Sequence, residues 1–79
     1  MSISVSVYPN PVEDELIILN RESRTVSFTL SDPSGKIVME TNLSAGRQQE
    51  NFSRIPKGLY IGKFVTEDGR TETTKIIKI

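Results

Sequence analysis

Apolar residues in this chain recur at every second position in short runs, and each run stops at turn-forming residues. Ile3, Val5 and Val7 alternate with Ser4 and Ser6, and Val26, Phe28 and Leu30 alternate with Ser27, Thr29 and Ser31. A period of two is the side-chain period of a β-strand, so each run predicts a strand with one apolar and one polar face. The β-branched and aromatic residues in these runs suit a pleated surface. No segment sustains the 3.6-residue spacing of an amphipathic helix.

Other runs are apolar on both faces. Leu16-Ile17-Ile18-Leu19 is one. Leu59 to Val65 is another, with Tyr60 and Phe64 on one side and Leu59, Ile61 and Val65 on the other. Strands of this kind are expected where both faces are covered. Ile37-Val38-Met39 is a shorter case, and Ile76, Ile77 and Ile79 close the sequence with Lys75 and Lys78 interleaved. Asp32-Pro33-Ser34-Gly35 predicts a turn joining Val26–Ser31 to Lys36–Asn42, because Pro fixes φ and Gly tolerates positive φ. Asp68-Gly69, within Glu67–Arg70, predicts a hairpin between Leu59–Thr66 and Thr71–Ile79. Arg47–Ser53 reads as a weak edge strand anchored by Phe52, and Ile55 as a loop residue tucked into the core. The result is an all-β chain of about seven short strands. Their spacing of roughly ten residues predicts an immunoglobulin-like, two-sheet antiparallel sandwich, without the Cys–Trp–Cys pattern of antibody domains.

The chain has 79 residues, which bounds it to a single domain spanning 1–79. A domain this small has little apolar residue to spare for a deep pocket. Ten Lys+Arg balance ten Asp+Glu, so the basic excess of a nucleic-acid binder is missing. There is no Cys, His or Trp. Ser–His–Asp and Cys–His catalysis and the usual zinc ligand sets are therefore excluded. The glycines stand singly and build no phosphate-cradling loop. Glu13, Asp14 and Glu15 are adjacent at the mouth of a predicted strand, point to opposite faces in turn, and read as a solvated group rather than an acid–base pair. Asp14, Asp32 and Asp68 are the candidate calcium ligands, but no ligand-rich loop surrounds them. No catalytic residue, metal site or cofactor is expected. The longest fully apolar run, Leu16–Leu19, is far short of the ~20 residues of a membrane helix. The first residues, Met1-Ser2-Ile3-Ser4, carry no basic segment followed by an apolar core, so they are not a secretory signal peptide, and an exported protein would carry its signal upstream of this stretch.

Four distinctive segments follow one another along the chain. Tyr8-Pro9-Asn10-Pro11 precedes Val12, Glu13, Asp14 and the strand Leu16–Leu19; Ser31-Asp32-Pro33-Ser34-Gly35-Lys36 precedes Ile37-Val38; Gly58-Leu59-Tyr60-Ile61 follows; and Lys75-Ile76-Ile77-Lys78-Ile79 comes last. In this order and spacing the chain resembles, from about Tyr8 to Ile79, the C-terminal sorting domain of the type IX (Por) secretion system of Bacteroidetes. The resemblance implies an immunoglobulin-like sandwich at the C-terminus of a larger secreted protein, such as a protease, adhesin or glycoside hydrolase. It implies a cargo that passes through the periplasm, recognition by the outer-membrane type IX translocon, cleavage at the surface by a sortase-like cysteine protease, and a final place at the cell surface or outside the cell. The partner-recognition residues it implies are Pro9, Asn10, Pro11, Gly58, Tyr60, Lys75, Ile76, Ile77 and Lys78.

Each of these positions also has a structural reading. Pro9 and Pro11 fix two φ angles and remove two donors, which makes either a stiff kink or a loop that shields a sheet edge. Asn10, before Pro11, is biased to an extended conformation. Gly58 suits a tight lead-in to the strand of Tyr60, whose ring is expected under a sheet corner with its hydroxyl on backbone. Lys75 and Lys78 either mark the strand for targeting or guard an edge against aggregation. A partner that adds a strand to an exposed last strand is the expected recognition mode, and the same edges are expected to pair between copies in a crystal. The alternative function is an accessory carbohydrate-binding or adhesive sandwich of an extracellular enzyme, which needs an exposed aromatic platform or a calcium loop.

Overall fold

In a computed structural model of the protein, residues 3–79 are described; Met1 and Ser2, at the head of the N-terminal stretch read above, lie outside them. The alternating runs form seven strands: β1 (Val5–Tyr8), β2 (Glu15–Asn20), β3 (Val26–Ser31), β4 (Ile37–Leu43), β5 (Gly46–Asn51), β6 (Gly58–Thr66) and β7 (Thr71–Lys78). They make a three-stranded sheet in the order β1-β2-β5 and a four-stranded sheet in the order β4-β3-β6-β7. All neighbours within the sheets are antiparallel. In the constant-type immunoglobulin arrangement the fourth strand extends the first sheet. Here β4 stays with β3 instead, because the Asp32–Lys36 turn folds it straight back. The Asp32 carboxylate accepts from the N–H groups of Ser34 and Lys36, both at 3.0 Å, and from the Ser34 hydroxyl at 2.6 Å.

The alternation turns one face of each sheet inward. In β3, Val26, Phe28 and Leu30 are fully buried and the intervening Ser27, Thr29 and Ser31 are half-buried. Leu16 and Ile18 of β2, Tyr60 and Phe64 of β6, and Ile76 of β7 complete the core with Val12, Leu43 and Phe52. Phe28 stacks on Phe64 with ring centroids 5.0 Å apart and planes 28° off parallel. Gly62 makes room for that ring. A Cβ added there would lie 3.0 Å from both Phe28 Cε1 and Ile76 Cδ1. Both neighbours are fully buried and have nowhere to move. A glycine inside a strand marks such close approaches.

Two departures from the sequence reading have clear causes. Pairing skips Val38: Leu30 faces Met39, and Ser31 faces Ile37. This extra residue turns both Val38 and Met39 toward the core and leaves Ile37 outside at 53% exposure. The second concerns β6. It lies between β3 and β7, yet its outer face is not covered, and Leu59 is 42% exposed. A two-layer sandwich buries only the facing sides of its sheets.

Candidate functional site

The Pro-Asn-Pro segment lies against the last strand. Within β6 and β7 the pairs are Leu59 with Ile77, Tyr60 with Ile76, and Ile61 with Lys75. Antiparallel strands direct the backbone groups of alternate residues to opposite sides, so the odd-numbered residues of β7 present N–H and C=O to its outer edge. Asn10 meets two of them. Its Nδ2 donates to the Lys75 carbonyl at 2.7 Å, and its Oδ1 accepts from the Ile77 N–H at 3.0 Å. Val12 continues the seam: its N–H donates to the Ile77 carbonyl at 2.7 Å, and its carbonyl accepts from the Ile79 N–H at 2.9 Å. The result is a parallel bridge between Val12 and Lys78. Val12 is fully buried and anchors the segment. The peptide bonds before Pro9 and Pro11 are both cis, and the residues Pro9, Asn10 and Pro11 are exposed.

This seam corrects the expectation of an open last strand. From Lys75 to Ile79 the outer edge of β7 already has partners, so no further strand pairs there without displacing Asn10 and Val12. Of the two readings of Pro9 and Pro11, the edge shield describes what the segment does. The Asn10 side chain stands in for a strand where proline supplies no donor.

The residues implied by resemblance divide between two faces. Tyr60 is 5% exposed, and its hydroxyl donates to the Pro56 carbonyl at 2.5 Å, the tyrosine corner of immunoglobulin-like sandwiches. Gly58 has φ +153°, with nothing within 4 Å of an added Cβ, so conformation rather than space selects glycine there. Ile76 is fully buried. Lys78 shares its side of the strand and is half-buried, whereas Lys75 and Ile77 point outward and are exposed. The Lys-Ile-Ile-Lys-Ile run thus displays Lys75, Ile77 and Ile79 together and withdraws Ile76 and Lys78.

Replacing Asn10 by Ala removes two hydrogen bonds at an exposed edge, where water re-solvates the partners. The expected cost is about 1–2 kcal/mol in urea unfolding. Amide exchange at Ile77 is expected to quicken more than exchange in β3. Asn10→Asp retains the acceptor for Ile77 but sets a carboxylate against the Lys75 carbonyl, so it should stabilise less than Asn.

The charged residues at the other end of the sandwich hold loops together. Arg70 Nη2 donates to Glu22 Oε1 at 2.8 Å and its Nε to Asp68 Oδ1 at 3.1 Å. Glu22 Oε2 accepts from the Ser4 N–H at 2.8 Å, and the Thr66 hydroxyl donates to Asp68. Glu22, Thr66, Asp68 and Arg70 line a cavity of about 340 Å³, but their polar atoms face one another. The hydrogen bond from Arg70 holds the Glu22 carboxyl below its ordinary range, and the Thr66 hydroxyl followed by Arg70 does so for Asp68. The Ser34 side chain, then the Lys36 N–H, lowers Asp32. A depressed folded-state pKa stabilises the fold above the ordinary carboxylate range, and that stability is lost as pH falls through and below the range. The melting temperature is expected to be flat near neutrality and to drop below about pH 4, and Glu22→Gln should make that drop shallower.

Asp14, Asp32 and Asp68 lie on three different connections, and no group of three acidic side chains able to hold a metal occurs among the described residues. No helix of the described residues is long and apolar enough to cross a membrane. Two residues escaped the sequence reading. Val12 is a lone valine after proline with no strand pattern around it, and Asn20 ends an apolar run where a polar residue ordinarily signals solvent.

Compared with known protein families, residues 6–79 match the family described as the secretion system C-terminal sorting domain. The chain belongs to this family. Membership makes the domain a type IX secretion sorting signal, associated with an N-terminal cargo region and the type IX machinery, in a protein bound for the cell surface or the extracellular space. No curated protein matches the chain. The sorting domain's sandwich supplies a rigid frame, and the seam of Asn10 and Val12 fixes the last strand upon it.

Proposed function

We propose that residues 1–79 form the sorting domain of a larger secreted protein and carry no catalytic activity of their own. The domain accompanies its cargo through the periplasm, is recognised by the outer-membrane type IX translocon, and is cut off at the surface by a sortase-like cysteine protease. The family match over residues 6–79 carries this reading. The last strand supports it, because Lys75 and Ile77 stand exposed on a strand tied down at both edges. In this reading the translocon meets the outward side chains of β7, with Pro9–Pro11 and Gly58 as the supports that hold it in place.

The accessory-domain alternative needs an aromatic platform. Of the five aromatic residues, Phe28, Phe52, Tyr60 and Phe64 are buried and only Tyr8 is exposed, so nothing favours that reading.

A secretion assay tests the proposal. The chain is fused to the C-terminus of a periplasm-directed fluorescent protein in a host with a working type IX system, and in the same host with the translocon disabled. Fluorescence should reach the surface or medium only in the first host. Retention in the periplasm of both hosts would reject the sorting role.

A further inference from the structure

Among the described residues five large hydrophobics are exposed, and four of them, Ile37, Leu59, Ile77 and Ile79, lie toward one end of one sheet. This is the outer face of the four-stranded sheet, at the end where β4 and β6 begin and β3 and β7 finish. Leu59 and Ile77 are direct cross-strand partners, and the next row runs Lys75, Ile61, Ser31, Ile37 across β7, β6, β3 and β4. Ile79 continues the alternation of Lys75 and Ile77. Ser31 is the small residue between Ile61 and Ile37, so the row is shallow at its centre and raised on both sides. The next row is polar, built from Thr73, Lys63, Thr29 and Glu40, and the one beyond it, Thr71, Val65, Ser27 and Asn42, is polar but for Val65. An apolar patch with a polar surround is the mark of an interaction site on a small soluble domain.

The surround also has a sign. Lys75 lies within the patch, Lys63 borders it, and Lys36 and Lys57 precede Ile37 and Gly58; all four are exposed. No acidic side chain stands in the two apolar rows; the exposed Glu40 shares the next row with Lys63, so the excess of positive charge is carried by Lys75, Lys36 and Lys57. Asp32, in the adjoining turn, has its carboxylate committed to Ser34 and Lys36. A second copy of this chain would bring lysines against lysines, which disfavours self-association. A lipid surface is met by an amphipathic helix whose apolar face sinks into the headgroup boundary, whereas this patch is a sheet face with no aromatic side chain in it. An apolar sheet face is buried by packing against another element of protein.

We infer that the outer face formed by Ile37, Leu59, Ile61, Ile77 and Ile79 is a docking surface for a protein partner that presents an apolar strip flanked by carboxylates. This inference rests on the sorting reading and places that partner in the export machinery. It extends the contact from the last strand to β6 and β4, which lie well before it in sequence.

The test uses the same fluorescent fusion with Leu59→Glu, Leu59→Lys and Ile37→Glu, leaving β7 intact, and Arg47→Glu on the other sheet as control. Melting of the 79-residue chain checks folding; should Leu59→Glu fail to fold, Ile37→Glu at the sheet edge carries the test. Detergent-solubilised translocon is the binding probe, with phosphatidylglycerol-containing phosphatidylcholine vesicles alongside it. Leu59→Glu and Ile37→Glu should lower export and translocon binding at least about tenfold, as loss of an interface anchor does. Leu59→Lys should lower them less, since it keeps the favoured charge, and wild-type binding should weaken as salt is raised. Wild-type export with unchanged export and binding of all three variants would overturn the docking surface and leave the sorting role standing. Absence of wild-type export would overturn both. Vesicle binding that depends on Leu59, without translocon binding, would replace the protein partner with a membrane, and sedimentation as a dimer lost in Leu59→Glu would replace it with a second copy.

Discussion

Removing Lys75–Ile79 should unfold the sorting domain. The cut takes Ile76 out of the core, where it is fully buried. It strips Gly58–Ile61 of their strand partners, and it leaves Asn10 and Val12 with nothing to hold. Losing a buried Ile side chain alone costs about 2–5 kcal/mol. The whole stability of a domain is about 5–15 kcal/mol, and a chain this short sits toward the low end because it buries a smaller share of its surface. The truncated chain should show no cooperative melt, and its β3 amides should exchange freely. A cooperative melt within about 5 °C of the intact domain would show that the last strand is not structural. The consequence for export is direct. Deleting the tail removes the frame together with whatever the translocon reads, so loss of secretion after deletion does not locate a contact. Lys75→Glu or Ile77→Glu keeps Ile76, Lys78 and the Asn10 seam, and these variants should melt within a few degrees of wild type. Loss of export in them would report recognition rather than folding.

The strands were legible because alternation is a local property. Val26–Ser31 and Thr71–Lys78 match the reading closely, and both tight turns fall at Asp32–Lys36 and Glu67–Arg70. Alternation states which residues share a face but not whether that face is covered. For this reason the outer side of β6, as apolar as a buried one, was expected to be covered. The bulge at Val38 has no signature in Ile37-Val38-Met39, since all three residues suit a strand in either register. The seam was hidden for a different reason. Asn10 and Ile77 are 67 positions apart, and a bond between a side chain and a distant backbone leaves no periodic trace. The tyrosine corner was legible because Tyr60 and Pro56 belong to one local motif only four positions apart.

Asn20 is the clearest case of a residue whose role depends wholly on distant backbone, and its replacement should carry the largest effect of any single polar substitution. It closes β2 at 2% exposure. Its Nδ2 donates toward the carbonyls of Leu43 at 3.0 Å, Arg24 at 3.1 Å and Ser44 at 3.2 Å, while its Oδ1 accepts from the Glu22 N–H at 3.0 Å. One amide therefore ties the β2–β3 connection to the β4–β5 turn. Asn20→Leu has nearly the same shape but withdraws all four bonds, from the Leu43 carbonyl in a buried place and from the Arg24 carbonyl and Glu22 N–H in part-buried ones, while the Ser44 carbonyl keeps the Gln48 side chain. Each orphaned buried group costs about 1–3 kcal/mol, and relaxation of the loops returns some of it, so a net loss of about 2–4 kcal/mol is expected. In a domain of this size that lowers the melting temperature by roughly 10–20 °C. Asn20→Asp separates the acceptor from the donor. At neutral pH its carboxylate keeps the bond from Glu22 but faces three carbonyls and is buried, so it should destabilise at least as much as Leu. Burial beside carbonyls raises the carboxyl's pKa, and the protonated form regains a donor. The stability of Asn20→Asp should therefore recover toward wild type as pH falls from 7 toward about 5, before the Glu22, Asp32 and Asp68 carboxylates begin to protonate. Asn20→Leu should show no such recovery. A parallel pH course for the two variants would mean that the Asn20 amide fills space at the end of the sandwich without bonding across it.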